Sequence, residues 1–204
     1  MKKLKVEHTL QGREIALYGN GGKCKTLVIG VFHGDEPQGK FLIEKYLEKN
    51  PESPIYFLPC LNPDGMENKT RTNSSGVDLN RNFPADNWHY SAKDEFFGGE
   101  SPASEVETRF VIDILEEHKP ELILTLHAPF KVVNYDGDAK EISKKISKII
   151  NYPVEENIGY PTPGSFGTYA GIEKKIPTIT LELDETCPVE DLISPVHKIF
   201  DMLS

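Results

Sequence analysis

Apolar runs divide the chain into segments. "REIALYG" (13–19), "TLVIGVF" (26–32), "IYFLPCL" (55–61), "LILTLH" (122–127) and "TITLELD" (178–184) read as strands, most of them without polar alternation. Near-continuous apolar strands belong to sheets covered on both faces. Between several of them the period becomes helical. "PQGKFLIEKYLEKN" spaces Phe41, Leu42, Lys45 and Tyr46 as a helix would. "SEVETRFVIDILEEH" sets Ser104 three before Glu107, a capping-box arrangement, and stays apolar at Val106, Phe110, Ile114 and Leu115. "GDAKEISKKISKII" repeats Ile142, Ile146, Ile149 and Ile150 on one face, and "VEDLISPVHKIFDML" closes the chain with a kink or a late start at Pro195. Strands alternating with helices predict a three-layer α/β domain with a largely parallel sheet.

The stretch 62–101 breaks this rhythm. It is rich in Asn, Gly, Pro and Asp, and a loop that long in a compact domain is usually functional. In open α/β sheets, sites form at the carboxyl ends of strands. His33, Asn62, His127 and Glu182 all fall at or near such ends.

Length and charge narrow the classes. The 204 residues suit one domain, expected over 1–204. With 23 Lys and Arg against 32 Asp and Glu, and no basic run, nucleic acid is not an expected partner. "MKKLKVEHTLQGREIAL" lacks the apolar core of a secretory signal, and no 18-residue apolar stretch offers a membrane span. Cytoplasm is the expected compartment. Cys24, Cys60 and Cys187 are scattered and odd in number, which fits reduced thiols.

A catalytic zinc takes about three protein ligands and keeps one open position. His33 and Glu36 in "GVFHGDEPQG", with His127, would form a two-His, one-carboxylate set. The plainer reading makes the first two loop residues and His127 the end of a strand, since HxxE lacks the helical geometry of HExxH. "NPDGMENKTRTNSSGVDLNRNFP" (62–84) adds Arg71, Asn80 and Arg81 among turn formers. Arginine forks match carboxylates bidentately, although two arginines in a loop are by themselves surface residues.

Taken in order, HxxE, "NPDG", "R…GVDLNRNFP", a strand-terminal His and "TLELD" resemble the zinc carboxypeptidases of the M14, carboxypeptidase A-like, family over roughly residues 26 to 185. The resemblance implies an α/β/α sandwich on a mixed, largely parallel sheet. It implies one zinc ion on His33, Glu36 and His127, with Arg71 polarising the carbonyl and stabilising the oxyanion. Asn80 and Arg81 would clamp the substrate's terminal carboxylate, Glu182 would be the general base, and Tyr160 the mobile substrate-side tyrosine. Competing readings remain for several positions. Asp184 or Glu185 takes the base's place if the register slips, because alternation puts Glu182 and Asp184 on one face. Tyr160 could simply pack its ring, and Asp35 could orient His33.

"LHAPFKVVNYDGDA", "YPTPGSFGTYAG" and "FFGGESPASEVETR" most resemble the murein-peptide amidases within that family. Ala128 and Pro129 follow the third ligand where most carboxypeptidases have Ser, in agreement with that group. The resemblance implies hydrolysis of the γ-D-Glu–meso-diaminopimelate bond of murein tripeptide, in cell-wall peptide recycling. Two other readings are an aspartoacylase or succinylglutamate desuccinylase-type zinc amidohydrolase, and a murein-peptide binder without catalysis.

Overall fold

The computed structural model describes residues 1–156 and 159–204. Among these, β1 (Lys2–His8), β2 (Glu14–Gly19), β3 (Thr26–Gly30), β4 (Tyr56–Leu58), β5 (Leu122–His127), β6 (Val132–Asp136), β7 (Val154–Glu155) and β8 (Thr178–Glu182) form one sheet. Their spatial order is β1-β2-β4-β3-β5-β8-β6-β7. The centre, β4-β3-β5-β8, is parallel, while β2 joins β4 and β6 joins β8 antiparallel. The sheet is therefore mixed with a parallel middle, as expected.

β3 and β4 have no polar alternation because both faces are covered, whereas β8 alternates Thr178, Thr180 and Glu182 with Ile179 and Leu181. Val28, Phe57, Leu124, Leu126, Ile179 and Leu181 meet helices α1 (Gln38–Lys49), α4 (Lys140–Ile150) and α5 (Ile193–Leu203) on one side. Leu27, Ile29 and Ile123 meet α3 (Val106–His118) on the other, through Phe110, Val111, Ile114 and Leu115. Each such side chain adds about 1.5–3 kcal/mol on burial. These two cores make the three layers.

The structure departs from the sequence pattern in places. β1 is an edge strand whose residues are mostly exposed, so its paired backbone, not an apolar pattern, defines it. The last helix opens as a 3-10 turn, Val189–Leu192, and is α-helical only from Ile193. Pro195 thus falls in the first turn, where its missing N–H breaks no intrahelical bond. The capping box expected from Ser104 and Glu107 is not formed. Glu105 is the N-cap of α3 and no side chain caps it. Ser104 Oγ instead donates to Glu105 at 2.7 Å, and the buried Glu107 carboxyl accepts from Asn73 Nδ2 at 3.4 Å.

Burial pushes Glu107 up to about 7, helped by the Glu105 carboxylate and opposed by its backbone hydrogen bond and Asn73. A folded value above the unfolded one means that folding takes up a proton between roughly pH 4.5 and 7. That stabilisation is complete below pH 4.5, fades as pH rises towards 7, and is gone above it. Glu107→Gln should therefore gain stability relative to the parent across this window, by about 2–3 kcal/mol in total. Urea unfolding of both proteins at pH 5 and pH 8 checks this; a difference that stays constant between the two pH values contradicts it.

Candidate active site

The carboxyl ends of β3, β5 and β8 lie side by side. His127 ends β5 and pairs in register with Glu182 at the end of β8. His33 and Glu36 occupy the turn that leaves β3. That turn starts at Val31 with φ 56°, a left-handed conformation that a β-branched residue holds only when its surroundings fix it. Asn62 supplies much of that fixing. Its N–H donates to Val31 O at 3.0 Å and its Nδ2 to Phe32 O at 3.2 Å, while its Oδ1 accepts from Gly65 N at 2.9 Å, capping α2 (Pro63–Asn68). "NPDG" thus braces the His33 turn.

Gly34 sits directly on that brace. A Cβ there would lie 1.9 Å from Gly65 C and 2.2 Å from Met66 N, both backbone atoms that cannot swing aside. Gly34→Ala is expected to cost about 2–3 kcal/mol of stability through overpacking. Because the turn must shift, zinc affinity should also fall by at least about 10-fold. Thermal melting and zinc titration test this; unchanged affinity would show that His33 and Glu36 are placed independently of α2.

Glu36 stands between the two imidazoles. Its Oε1 is 2.8 Å from His33 Nδ1, and its Oε2 is 3.0 Å from His127 Nδ1 and accepts from Ala128 N at 3.2 Å. One ligand atom from each residue falls within 4.8 Å of the others, and all three residues are buried. Burial alone would raise the Glu36 carboxyl, but the two imidazoles hold it well below the usual carboxylate range. His33 goes the other way: Asp78 and Glu36 overcome burial and raise it. Two imidazoles and a carboxylate converging in a buried cluster suit a divalent cation, and two-His, one-carboxylate is a zinc donor set.

Asp78, in "GVDLNR", organises the residues around this set. It is fully buried; its Oδ1 is 3.2 Å from His33 Nε2 and accepts from Asn80 N at 2.8 Å. Its Oδ2 accepts two hydrogen bonds from Arg71, at 3.0 and 2.9 Å. Burial opposes the charge, yet His33 and Arg71 hold Asp78 far below the normal range. The other face of Arg71 rests on Phe96, 5.1 Å from its ring centroid. Asn80 Oδ1 accepts from Phe166 N at 2.9 Å, and the buried Arg81 donates to Asn80 O at 2.7 Å. Sequence reasoning missed Asp78; Asp35, read as a solvent-facing residue or an alternative partner for His33, is exposed. A signal was available, since Asp in a fixed place between two candidate arginines is a natural partner for both.

Glu182 is 6% exposed, and one of its carboxylate oxygens, Oε2, has no hydrogen-bond partner among the described residues. Burial raises its pKa, with Glu36 adding to the rise and His127 and His33 opposing it. Asp184 lies past the end of β8, bound to Lys131 at 2.7 Å and to Thr186. The acid that faces the imidazoles is therefore Glu182. All eight residues singled out from the sequence, His33, Glu36, Arg71, Asn80, Arg81, His127, Tyr160 and Glu182, line one cavity of about 290 Å³. Tyr160 is 42% exposed at its edge. His8, His89, His118 and His197 do not line it.

A family model for zinc carboxypeptidases matches residues 1–157. Murein peptide amidase A from Escherichia coli K12 is 31% identical over 157 residues, covering 70% of this chain and 64% of the relative. The Vibrio campbellii protein of the same name is 30% identical over 171 residues, covering 77% and 68%. The chain thus spans slightly under two thirds of the Escherichia coli relative's length. Among solved structures, murein-tripeptide amidase from Escherichia coli O157 superposes with a TM-score of 0.85 at 24% identity, covering 97% of this chain and 91% of that one. Carboxypeptidase A from Helicoverpa armigera gives 0.74 at 19%, covering 98% and 68%. At these identities the superpositions establish the shared α/β fold.

Proposed function

Because the chain belongs to the zinc carboxypeptidase family, we propose that it is a one-domain metallopeptidase, residues 1–204, that removes the C-terminal amino acid of a short peptide. The substrate is murein tripeptide, cut at its γ-D-Glu–meso-diaminopimelate bond. The relatives named murein peptide amidase support this choice. Three free cysteines fit a reducing compartment, so the enzyme is placed in the cytoplasm, in cell-wall peptide recycling. No helix among the described residues is long and apolar enough to cross a membrane.

His33, Glu36 and His127 would hold one zinc ion, which when bound supplies Lewis-acid polarisation and a water of lowered pKa. Arg81 and Asn80 take the terminal carboxylate of the substrate, with Tyr160 closing over it from the cavity edge. Arg71, held in place by Asp78, meets the negative charge that develops on the scissile carbonyl oxygen. Glu182 accepts a proton from the attacking water as the new C–O bond forms. It then hands that proton to the leaving nitrogen as the C–N bond breaks.

The observation that carries this reading is the Oε2 of Glu182, without a partner among the described residues, in the same cavity as the three donors and the arginines. Incubating the zinc-loaded protein with L-Ala-γ-D-Glu-meso-diaminopimelate should release free diaminopimelate, identified by mass spectrometry. N-acetylaspartate and succinylglutamate, supplied in parallel, should stay intact. Turnover of either, with none of the tripeptide, would move the protein to the aspartoacylase-like amidohydrolases; tripeptide binding without turnover of any of the three would make it a binder.

A further inference from the structure

β6 continues the cavity away from Glu182. In its antiparallel register with β8, Val132 lies opposite Glu182, Asn134 opposite Thr180 and Asp136 opposite Thr178. Val133 and Tyr135 point into the core, so Asn134 and Asp136 share the site's face of the sheet. Asp136 lies four residues along the strand from Val132, about 13 Å. Two side chains reach in from the ends of that interval. It therefore has room for one extended amino-acid side chain.

The Asp136 carboxylate has a built seat. A Cβ on Gly167 would fall 2.2 Å from Asp136 Oδ2, and one on Gly171 would fall 2.4 Å from Asp136 Cβ. The helical segment Gly167–Glu173 therefore packs flush on Asp136 only because both positions lack side chains. Nevertheless the carboxylate has no ion pair or hydrogen bond among the described residues, although it lines the cavity. Burial without a counter-charge pushes it up to about 6. Glu156, held by the Tyr135 hydroxyl at 2.9 Å, lines the same end. The cavity is thus bipolar, with Arg71 and Arg81 at one end and two carboxylates without a counter-charge among the described residues at the other.

We propose that Asp136 is a specificity-determining residue whose carboxylate binds the distal ammonium of the substrate's C-terminal amino acid. This deepens the carboxypeptidase reading above and rests on it for the direction in which substrate lies. A cation arriving there exchanges a partly desolvated acid without a counter-charge for a charge-assisted hydrogen bond. A neutral side chain of equal length shields that half-buried acid from water without offering it a partner.

The test compares meso-diaminopimelate with 2-aminopimelate, which has the same carbon chain and carboxylates but no distal amino group. With tripeptides ending in each, the zinc-loaded parent should favour the diaminopimelate substrate in kcat/KM by about 10–100-fold. Asp136→Asn, which keeps the shape, should bring that ratio to within a few-fold of unity. Calorimetry with the two free amino acids reads the same preference without turnover. The parent should bind diaminopimelate more tightly, and the variant should bind both alike. A thermal melt confirms that the variant folds. If the preference survives Asp136→Asn, or the parent shows none, the inference is overturned. If neither peptide is cleaved but the binding preference is present and lost in the variant, peptide hydrolysis fails while the role of Asp136 stands.

Discussion

Glu182→Gln is expected to lower kcat on the murein tripeptide by about 10²–10⁴-fold, the usual range for removing a positioned general base. Zinc stoichiometry and KM should stay close to those of the parent. The substitution keeps the volume of a side chain that is 6% exposed, so packing at the end of β8 is preserved. What it removes is the basic oxygen of a carboxylate whose Oε2 is unpartnered among the described residues. Burial raises the pKa of that group, which improves a base asked to take a proton from water near neutrality. Steady-state kinetics with parallel metal analysis separates the cases. Retained turnover would reassign the base, and zinc lost along with turnover would show that Glu182 acts on the metal site rather than on the proton.

Asp78→Ala should be the most damaging change outside the donor set. It strands the Arg71 guanidinium and the His33 imidazole in a buried region, where both now share one fully buried carboxylate. Removing one partner of a buried charge pair typically costs about 3–5 kcal/mol. Losing the partner of a ligating imidazole lowers metal affinity by about 10–100-fold. Both effects are expected together, read by denaturant unfolding of the metal-free protein and by zinc titration. Asp78→Asn tests the origin of the loss. It keeps an acceptor for Arg71 but no charge, so stability should recover in part while turnover stays low. Full recovery by Asn would mean that shape, not charge, is what Asp78 contributes.

The parts of the fold that could be read from the chain are those with one dominant physical cause. β3 and most of β5 are apolar because two cores cover them, β8 turns Ile179 and Leu181 into one of those cores, and α1, α3, α4 and α5 each carry an apolar stripe for one of them. β1 was hidden because an edge strand is held by its backbone ladder and leaves "KKLKVEH" in water. β6 was hidden for a more informative reason. Its alternation is real, but the polar positions Asn134 and Asp136 face the site rather than solvent, so "VVNYD" looks like a loop. Ser104 and Glu107 carry the letters of a capping box, yet Asn73, distant in sequence, claims the Glu107 carboxyl.

The site follows the same division. His33, Glu36, His127 and Glu182 lie next to strand ends, so a parallel sheet brings them to one rim. Asp78 shows in the sequence only as an acid between Arg71 and Arg81, and Asp136 not at all as a ranked position. The importance of the first lies in reaching His33 and Arg71 at once, and that of the second in the two glycines that leave it room.

The most direct measurement is X-ray diffraction from crystals of the zinc-loaded protein, collected on both sides of the zinc absorption edge. One strong anomalous peak is expected, bounded by Nδ1 of His33, the Glu36 carboxylate and Nδ1 of His127, with Glu182 beside it and not ligating. A peak held by other residues, or none at this place at full zinc loading, would contradict this.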